Sequence, residues 1–258
     1  MVDSYYGKTY VAYLDISGFE AMMKDLESAK NVLNDFYTTI YHFCQNNTTT
    51  SPRICAIVAF DCAAFFTRNH NRSDKLNGLL SILRFVREVN RHFIEGEGSQ
   101  PFMTTCSIAY GKFVYEDRTE SPDLRKNYIF GSPYLQVALD QKKGIPKIRA
   151  GECRLLPSKM FRLKGFGKND LLSFILKRGR RHYFYWMLND PGQQHNFDTD
   201  YAEAYKQRNK DNYSCVIKVL RRYSNMAVQK KNEACVRLVR KSELKNALRN
   251  QSSSSQTF

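Results

Sequence analysis

A chain of 258 residues, 42% of them hydrophobic, is long enough to bury a real core in one domain and leave room for an appendage. No apolar run approaches the roughly 20 residues that cross a bilayer, and Met1-Val2-Asp3-Ser4-Tyr5 lacks the basic-then-apolar order of a secretory leader, so no membrane partner is expected and a cytoplasmic location is. The net charge of +15 is lopsided, with 14 Lys and Arg against 16 Asp and Glu in residues 1–141 but 26 against 9 in 142–258, a field that draws polyanions.

Lys8 to Ile16 is almost continuously apolar and predicts a strand buried on both faces. Asp15-Ile16-Ser17-Gly18 is turn chemistry. A long helix is expected next, with Phe19, Met22, Met23, Leu26, Leu33, Phe36 and Ile40 at helical spacing, ended by the polar run 45–50. Arg53 to Phe60 reads as a second strand and Cys62 to Thr67 as its return, with Asp61 at the bend. Asn69 to Ser73 supplies a turn and cap for a second helix through Leu79, Leu83, Val86 and Phe93, stopped by Gly96-Glu97-Gly98. Met103 to Tyr115 is a long strand. A polar excursion over 116–126, a short strand Tyr128–Phe130 and a third helix from Gly131-Ser132-Pro133 to Lys143 follow it, and then a strand within Ile148–Leu155.

The order β-α-β-β-α-β, then β-α-β, predicts an α+β fold: a ferredoxin-like split βαβ core with a mainly antiparallel sheet and flanking helices, over residues 1–155. Residues 156–250 read as a basic extension packed on that core. It holds an aromatic edge strand or packed segment at Arg181–Leu188, a loop at Gly192–Asp200, and helices at Tyr201 to about Tyr223 and at Glu233–Leu248. The Ser-rich tail 251–258 is expected to be disordered. The cysteine count is 7, an odd number with no C-x-x-C spacing, and Cys44, Cys55, Cys62, Cys106 and Cys215 lie in apolar stretches. Reduced thiols fit better than zinc or disulfides. His42, His70, His92, His182 and His195 show no metal spacing.

Asp15 and Asp61 each stand at the end of an apolar strand. A desolvated carboxylate must be compensated, and two on neighbouring strands make a site for Mg²⁺ or Mn²⁺ carrying a phosphate chain. Either alone reads more simply as the residue that ends a strand and caps the next turn.

The order of motifs resembles a family. Leu14-Asp15-Ile16-Ser17-Gly18-Phe19 resembles the first metal-binding signature of class III nucleotidyl cyclases, and more closely that of the pyrimidine cyclases of bacterial Pycsar anti-phage systems. Phe60-Asp61-Cys62 stands where those carry Ser-Asp-Ser. Ser107 to Phe113 is similar to their strand after the second helix, and Phe130-Gly131-Ser132-Pro133 with Leu139 to Ile148 to their third helix and following strand. The resemblance implies a palm-type cyclase fold, an active homodimer, and conversion of UTP, ahead of CTP, to the 3′,5′-cyclic monophosphate and pyrophosphate, the product switching on an antiviral effector. It also implies two Mg²⁺ or Mn²⁺ ions bridged by Asp15 and Asp61, with the Ile16 carbonyl as a further ligand and the amides of Ser17, Gly18 and Phe19 at a helix start on the phosphates. Lys112, Arg125, Lys126 and Lys147 are candidates for the pyrophosphate, and Arg53 and Tyr128 for the base. Tyr110 reads as sheet packing.

The chain departs from the family at several points. Only the carboxylate of Ser-Asp-Ser remains. Thr105-Cys106 replaces an Arg-Gly. Ser132 separates Gly131 from its proline. Gln141 stands for the acidic residue ending the third helix. These losses keep open another class: a degenerate cyclase-like domain that binds nucleotides or, less favoured, nucleic acid through its basic C-terminal half. A palm-type oligonucleotide synthase is disfavoured by the lack of a Gly-Gly-Asp-Glu-Phe-like hairpin.

Overall fold

The computed structural model describes residues 3–46, 52–68, 74–96, 100–121, 124–156, 171–208 and 213–225. The first apolar run forms β1 (Asp3–Ile16), the spine of the sheet. Because successive side chains of a strand face opposite ways, Tyr10, Ala12, Leu14 and Ile16 enter one apolar cluster, while Tyr5 and Val11 enter the other. The expectation of a strand buried on both faces holds over Thr9 to Ala12.

β2 (Ile54–Ala59) and β3 (Cys62–Thr67) form a hairpin closed by only Phe60 and Asp61, and β3 pairs antiparallel with β1 so that Asp15 faces Cys62. On the other side of β1 runs β4 (Thr104–Ser121), antiparallel from Asp3↔Asp117 to Ile16↔Thr104. The polar stretch expected as an excursion instead continues β4 and returns as β5 (Leu124–Gly131). Polar side chains do not break a strand whose backbone donors and acceptors are paired. Gly131 joins β5 to the next helix at φ 140°, and a Cβ there would lie 2.3 Å from the Lys112 carbonyl.

β6 (Cys153–Leu155) lies parallel to the start of β4, and β7 (Ile175–Arg178) and β8 (Arg181–Phe184) form a hairpin beyond it. The strand order is β2-β3-β1-β4-β6-β8-β7, with β5 beside the far half of β4. The aromatic run read as an edge strand or a packed segment is the packed one: its first half is β8, internal to the sheet, and β7 is the edge. Tyr185, Trp186, Met187 and Leu188 after it are buried in the main core.

The helix expected from Phe19 is split into α1 (Phe19–Met22) and α2 (Leu26–Asn46), because Asp25 caps α2, accepting from the Ser28 amide at 3.3 Å. α2 and α3 (Asp74–Glu95) cover one sheet face, where Phe36, Phe93 and Phe102 stack at ring separations of 5.5 and 4.5 Å. Burial of each such ring contributes about 1.5–3 kcal/mol. α4 (Ser132–Lys143) covers the other face through Val137 and Tyr134. The expected loop 192–200 is instead largely α5 (Gln194–Gln207), which precedes α6 (214–225). Phe197 and Tyr201 of α5 and Val216 and Leu220 of α6 close the main core. The cap at 69–73, the helix at 233–248 and the tail 251–258 fall outside the described residues. No helix among the described residues is long and apolar enough to cross a membrane.

Candidate active site

Two strand ends meet where β1 turns into α1. The Ile16 amide donates to the Asp61 carbonyl at 2.9 Å, and Asp15 lies opposite Cys62 in register, so Asp15 and Asp61 are held beside each other by the ladder itself. Burial, and then the charge of Asp61, push the Asp15 carboxyl up to about 6, with Lys147 acting in the opposite sense. Within the described residues neither carboxylate takes a hydrogen bond or an ion pair. The hairpin that carries Asp61 is strained: Phe60 sits at φ 55° with its ring 82% exposed, and its carbonyl accepts from the Tyr37 hydroxyl at 2.8 Å.

Asp15 opens onto a cleft of about 920 Å³. Asp15, Ser17 and Gly18 form one wall and Thr105 and Gln141 the floor. The opposite wall is the loop Lys147–Ala150 with Tyr205 and Lys206 of α5, followed by Arg208 and Tyr213. Thr105 donates to the Gln141 side-chain oxygen at 2.7 Å, and Gln141 in turn reaches the Tyr13 carbonyl at 3.4 Å. The two neutral residues that replace an expected arginine and an expected acid thus hold each other. Beside them, Asp140 accepts from Ser107 at 2.7 Å and from Arg154 Nε at 3.0 Å, a buried ion pair.

Of the residues singled out in the sequence, the structure brings together Asp15, Asp61, Ile16, Ser17, Gly18 and Lys147. The expectations for the phosphate-facing turn are corrected in two respects. The Ser17 amide is already committed to the Met103 carbonyl at 2.8 Å, and the helix starting at Phe19 is a single turn, too short to sum a useful dipole. Gly18 is left-handed, φ 79°, with the Tyr213 ring against it. The Ser17 hydroxyl oxygen is buried without a partner.

Arg53, Lys112 and Tyr128 are not brought to the pair within one chain. Lys112 lies seven residues along β4 from Thr105, the residue paired with Asp15, about 23 Å at strand spacing. Tyr128 pairs with Glu116, further out on the same hairpin. Arg53 precedes β2, at the end away from Asp61, and lines a separate cavity of about 300 Å³ with Tyr37, Tyr41 and Arg68. The side chains of Arg125 and Lys126 lie outside the described residues. Tyr110 packs on Tyr10 at 4.7 Å, as expected for a sheet aromatic.

Sequence reasoning missed Arg149, Tyr205, Lys206, Arg208 and Tyr213 as cleft residues. The only signal was the basic excess of the C-terminal half, which does not separate a cleft wall from a solvated helix.

The donor set for a metal is two carboxylates; no cluster of three or more His, Cys, Asp or Glu occurs among the described residues. A raised carboxyl pKa beside a second, unpaired carboxylate is what a hard divalent cation relieves, so Asp15 and Asp61 fit Mg²⁺ or Mn²⁺.

No protein-family model and no curated protein sequence matches the chain. Solved structures do. The catalytic core of a rhodopsin-guanylyl cyclase with converted specificity, in complex with ATPαS, superposes with a TM-score of 0.50 at 10% identity, over 70% of this chain and 96% of that one. The adenylyl cyclase CyaB from P. aeruginosa (TM-score 0.43, 14% identity, 59% and 78% covered) and the guanylate cyclase domain of RhGC from Catenaria anguillulae with GTP (0.46, 8%, 59% and 79%) are further matches. The fold is that of the nucleotidyl cyclase palm.

Proposed function

We propose that this protein is a nucleotidyl cyclase. It turns a pyrimidine nucleoside triphosphate, UTP before CTP, into the 3′,5′-cyclic monophosphate and pyrophosphate. The observation that carries this reading is the unpaired carboxylate of Asp15, with the Asp61 charge beside it, lining a cleft large enough for a nucleotide. In the reaction the ribose 3′-oxygen bonds to the α-phosphorus as the bond to the β-phosphate oxygen breaks, and the 3′-proton passes to solvent. Asp15 and Asp61, with the Ile16 carbonyl, would hold two Mg²⁺ or Mn²⁺ ions, which supply charge neutralisation on the phosphates and acidify the attacking hydroxyl. Lys147, a cleft residue that acts on Asp15, meets the leaving pyrophosphate in this reading. Gln141 and Thr105 offer neutral polar groups on the floor, and the Ser17 hydroxyl is an unspent donor beside them.

The preference for a pyrimidine and the role as a second-messenger enzyme in antiviral defence, acting through an effector that the product activates, rest on the resemblance of the four ordered segments to the Pycsar cyclases. A homodimer is part of the reading. Arg53, Lys112 and Tyr128 act at a base or phosphate only if a second copy presents them, and Leu135 and Leu139, one turn apart on α4, are exposed at 60% and 47%.

The second reading, a cyclase-like domain that binds without turning over, is favoured by the Thr105–Gln141 hydrogen bond, which closes two neutral residues where charge was expected. Incubation with each of the four labelled nucleoside triphosphates and Mn²⁺, with chromatography of the products, tests both. Cyclic UMP or CMP supports the first reading; no cyclic product from any of the four overturns it. A binding-only domain would then show RNA or DNA affinity that falls steeply with salt.

A further inference from the structure

We infer that the C-terminal extension supplies the polyphosphate-binding wall of the cleft, with Lys206 and Arg208 as the residues that meet the β- and γ-phosphates opposite Asp15. This rests on the cyclase reading of the same site and assigns a task to a part of the chain which that reading leaves without one.

The charges in the cleft are divided by side. Asp15 is the carboxylate on the core wall, and Lys147, Arg149, Lys206 and Arg208 are the cations of the opposite wall. A triphosphate carries up to four negative charges, so a chain of phosphates laid from the aspartate toward α5 meets opposite charge along its length. Elsewhere in the same region cations are neutralised by carboxylates: Arg154 by Asp140, Arg178 by Glu152 and Asp198, and Arg222 by Asp200. The four cleft cations form no ion pair among the described residues. All four are exposed, so their charge is open to an anionic ligand.

The wall is also built rather than incidental. α5 places Ala202, Tyr205 and Lys206 on one face, while Phe197, Tyr201 and Ala204 turn into the core. Arg208 lies 4.0 Å from the Tyr205 ring and donates Nη1 to the Tyr205 carbonyl at 2.8 Å, and Arg149 lies 5.3 Å from the same ring. Two guanidinium groups are thus held by one aromatic, which keeps repelling charges apart and their donors oriented. The loop Lys147–Ala150 in the same wall is tied to this helix: the Tyr205 hydroxyl accepts from the Ala150 amide at 3.1 Å, and the Tyr201 hydroxyl donates to the Ala150 carbonyl at 2.7 Å. Tyr213 then brings the wall against Gly18.

The test is binding of inorganic tripolyphosphate, in Mg²⁺, by calorimetry to the full chain and to Lys206→Glu, Arg208→Glu and Lys218→Glu, alongside cyclisation of UTP and CTP. Lys206 and Arg208 are exposed, so reversal leaves the core intact, and the unfolding midpoint of each variant verifies this. Lys218 is an exposed cation of α6 outside the cleft and controls for net charge. Losing one charge-assisted contact is expected to weaken tripolyphosphate by about 10-fold or more at Lys206 and at Arg208, and to raise KM for the nucleotide, while Lys218→Glu changes binding less than about two-fold. Arg208→Lys should recover part of the loss. Tripolyphosphate that does not bind the native chain, or binds both cleft variants as it binds the native chain, or is lost equally in Lys218→Glu, overturns the wall. If no nucleotide is cyclised yet tripolyphosphate binding still depends on Lys206 and Arg208, the cyclase reading falls and the wall stands. If cyclisation is normal in both variants, the wall falls alone.

Discussion

Asp140 and Asp15 both lie against the start of β4, Asp140 on the Ser107 hydroxyl and Asp15 opposite Thr105, and are treated in opposite ways. Asp140, 9% exposed, is wrapped by the Ser107 hydroxyl and the Arg154 guanidinium, and Arg154 itself is fully buried, with Nη1 on the Pro146 carbonyl at 2.6 Å. Asp15, half-buried, has the Asp61 charge beside it and Lys147 as the cation that opposes it. A carboxylate whose partners are all supplied by the chain holds the fold together. On the proposed reading, one whose partners are withheld takes them from a bound cation, and the contrast separates the two kinds of acid more sharply than burial does.

The largest effect that can break this contrast is expected in activity. Asp15→Ala and Asp61→Ala should each lower cyclisation by more than about 100-fold while the unfolding midpoint holds or rises, since a repulsion is removed along with the site. Either variant turning over near normally would make the pair structural. Next comes stability. Arg154→Leu should destabilise the fold by about 3–5 kcal/mol in urea titrations, because it strands a buried charge; a loss below about 1 kcal/mol would erase the distinction.

A pH series sharpens the comparison further. With its carboxyl at about 6 in the fold against 3.8 unfolded, Asp15 favours the folded, metal-free chain at low pH, and that contribution is lost as pH rises through 6. In EDTA, thermal midpoints should therefore fall between pH 5 and pH 7 by more in the native chain than in Asp15→Asn, and Mn²⁺ at pH 7 should restore what was lost. Equal slopes in the two proteins would show that Asp15 does not titrate as the geometry requires.

The smallest effect separates backbone strain from space. Phe60→Gly relieves the left-handed residue beside Asp61 and should gain up to about 1 kcal/mol while lowering turnover. Gly144→Ala at the closed centre should lose stability, since its Cβ would lie 2.4 Å from the Asp140 carbonyl and the Arg154 guanidinium. Both changes are read from the same denaturation curves.

Much of the core was legible because hydrophobic periodicity is local. The Cys62–Thr67 strand, the helix ending at Lys143 and the Asp61 bend were all readable from neighbouring residues. What failed were places where a distant partner decides. The polar residues 116–121 are strand because β5 pairs with them, and α1 ends early because Asp25 caps the next helix. At the site, sequence drew attention to Gln141 as a missing acid. The phase of α4 shows that Asp140, one residue earlier, faces the core and finds Arg154, which carried no local signal at all. Lys206 and Arg208 were hidden for the same reason: nothing nearby in sequence says that α5 will lie across from Asp15.

The parallel contact between Cys106–Ile108 and Cys153–Leu155 has a practical consequence. Cutting the chain after residue 155 would remove the β7–β8 hairpin and bare β6 as a raw strand flank, with its backbone donors and acceptors open to any passing copy. A fragment ended there would be driven toward self-association before it was ever assayed, and an inert preparation of that kind would leave the proposed activity untested.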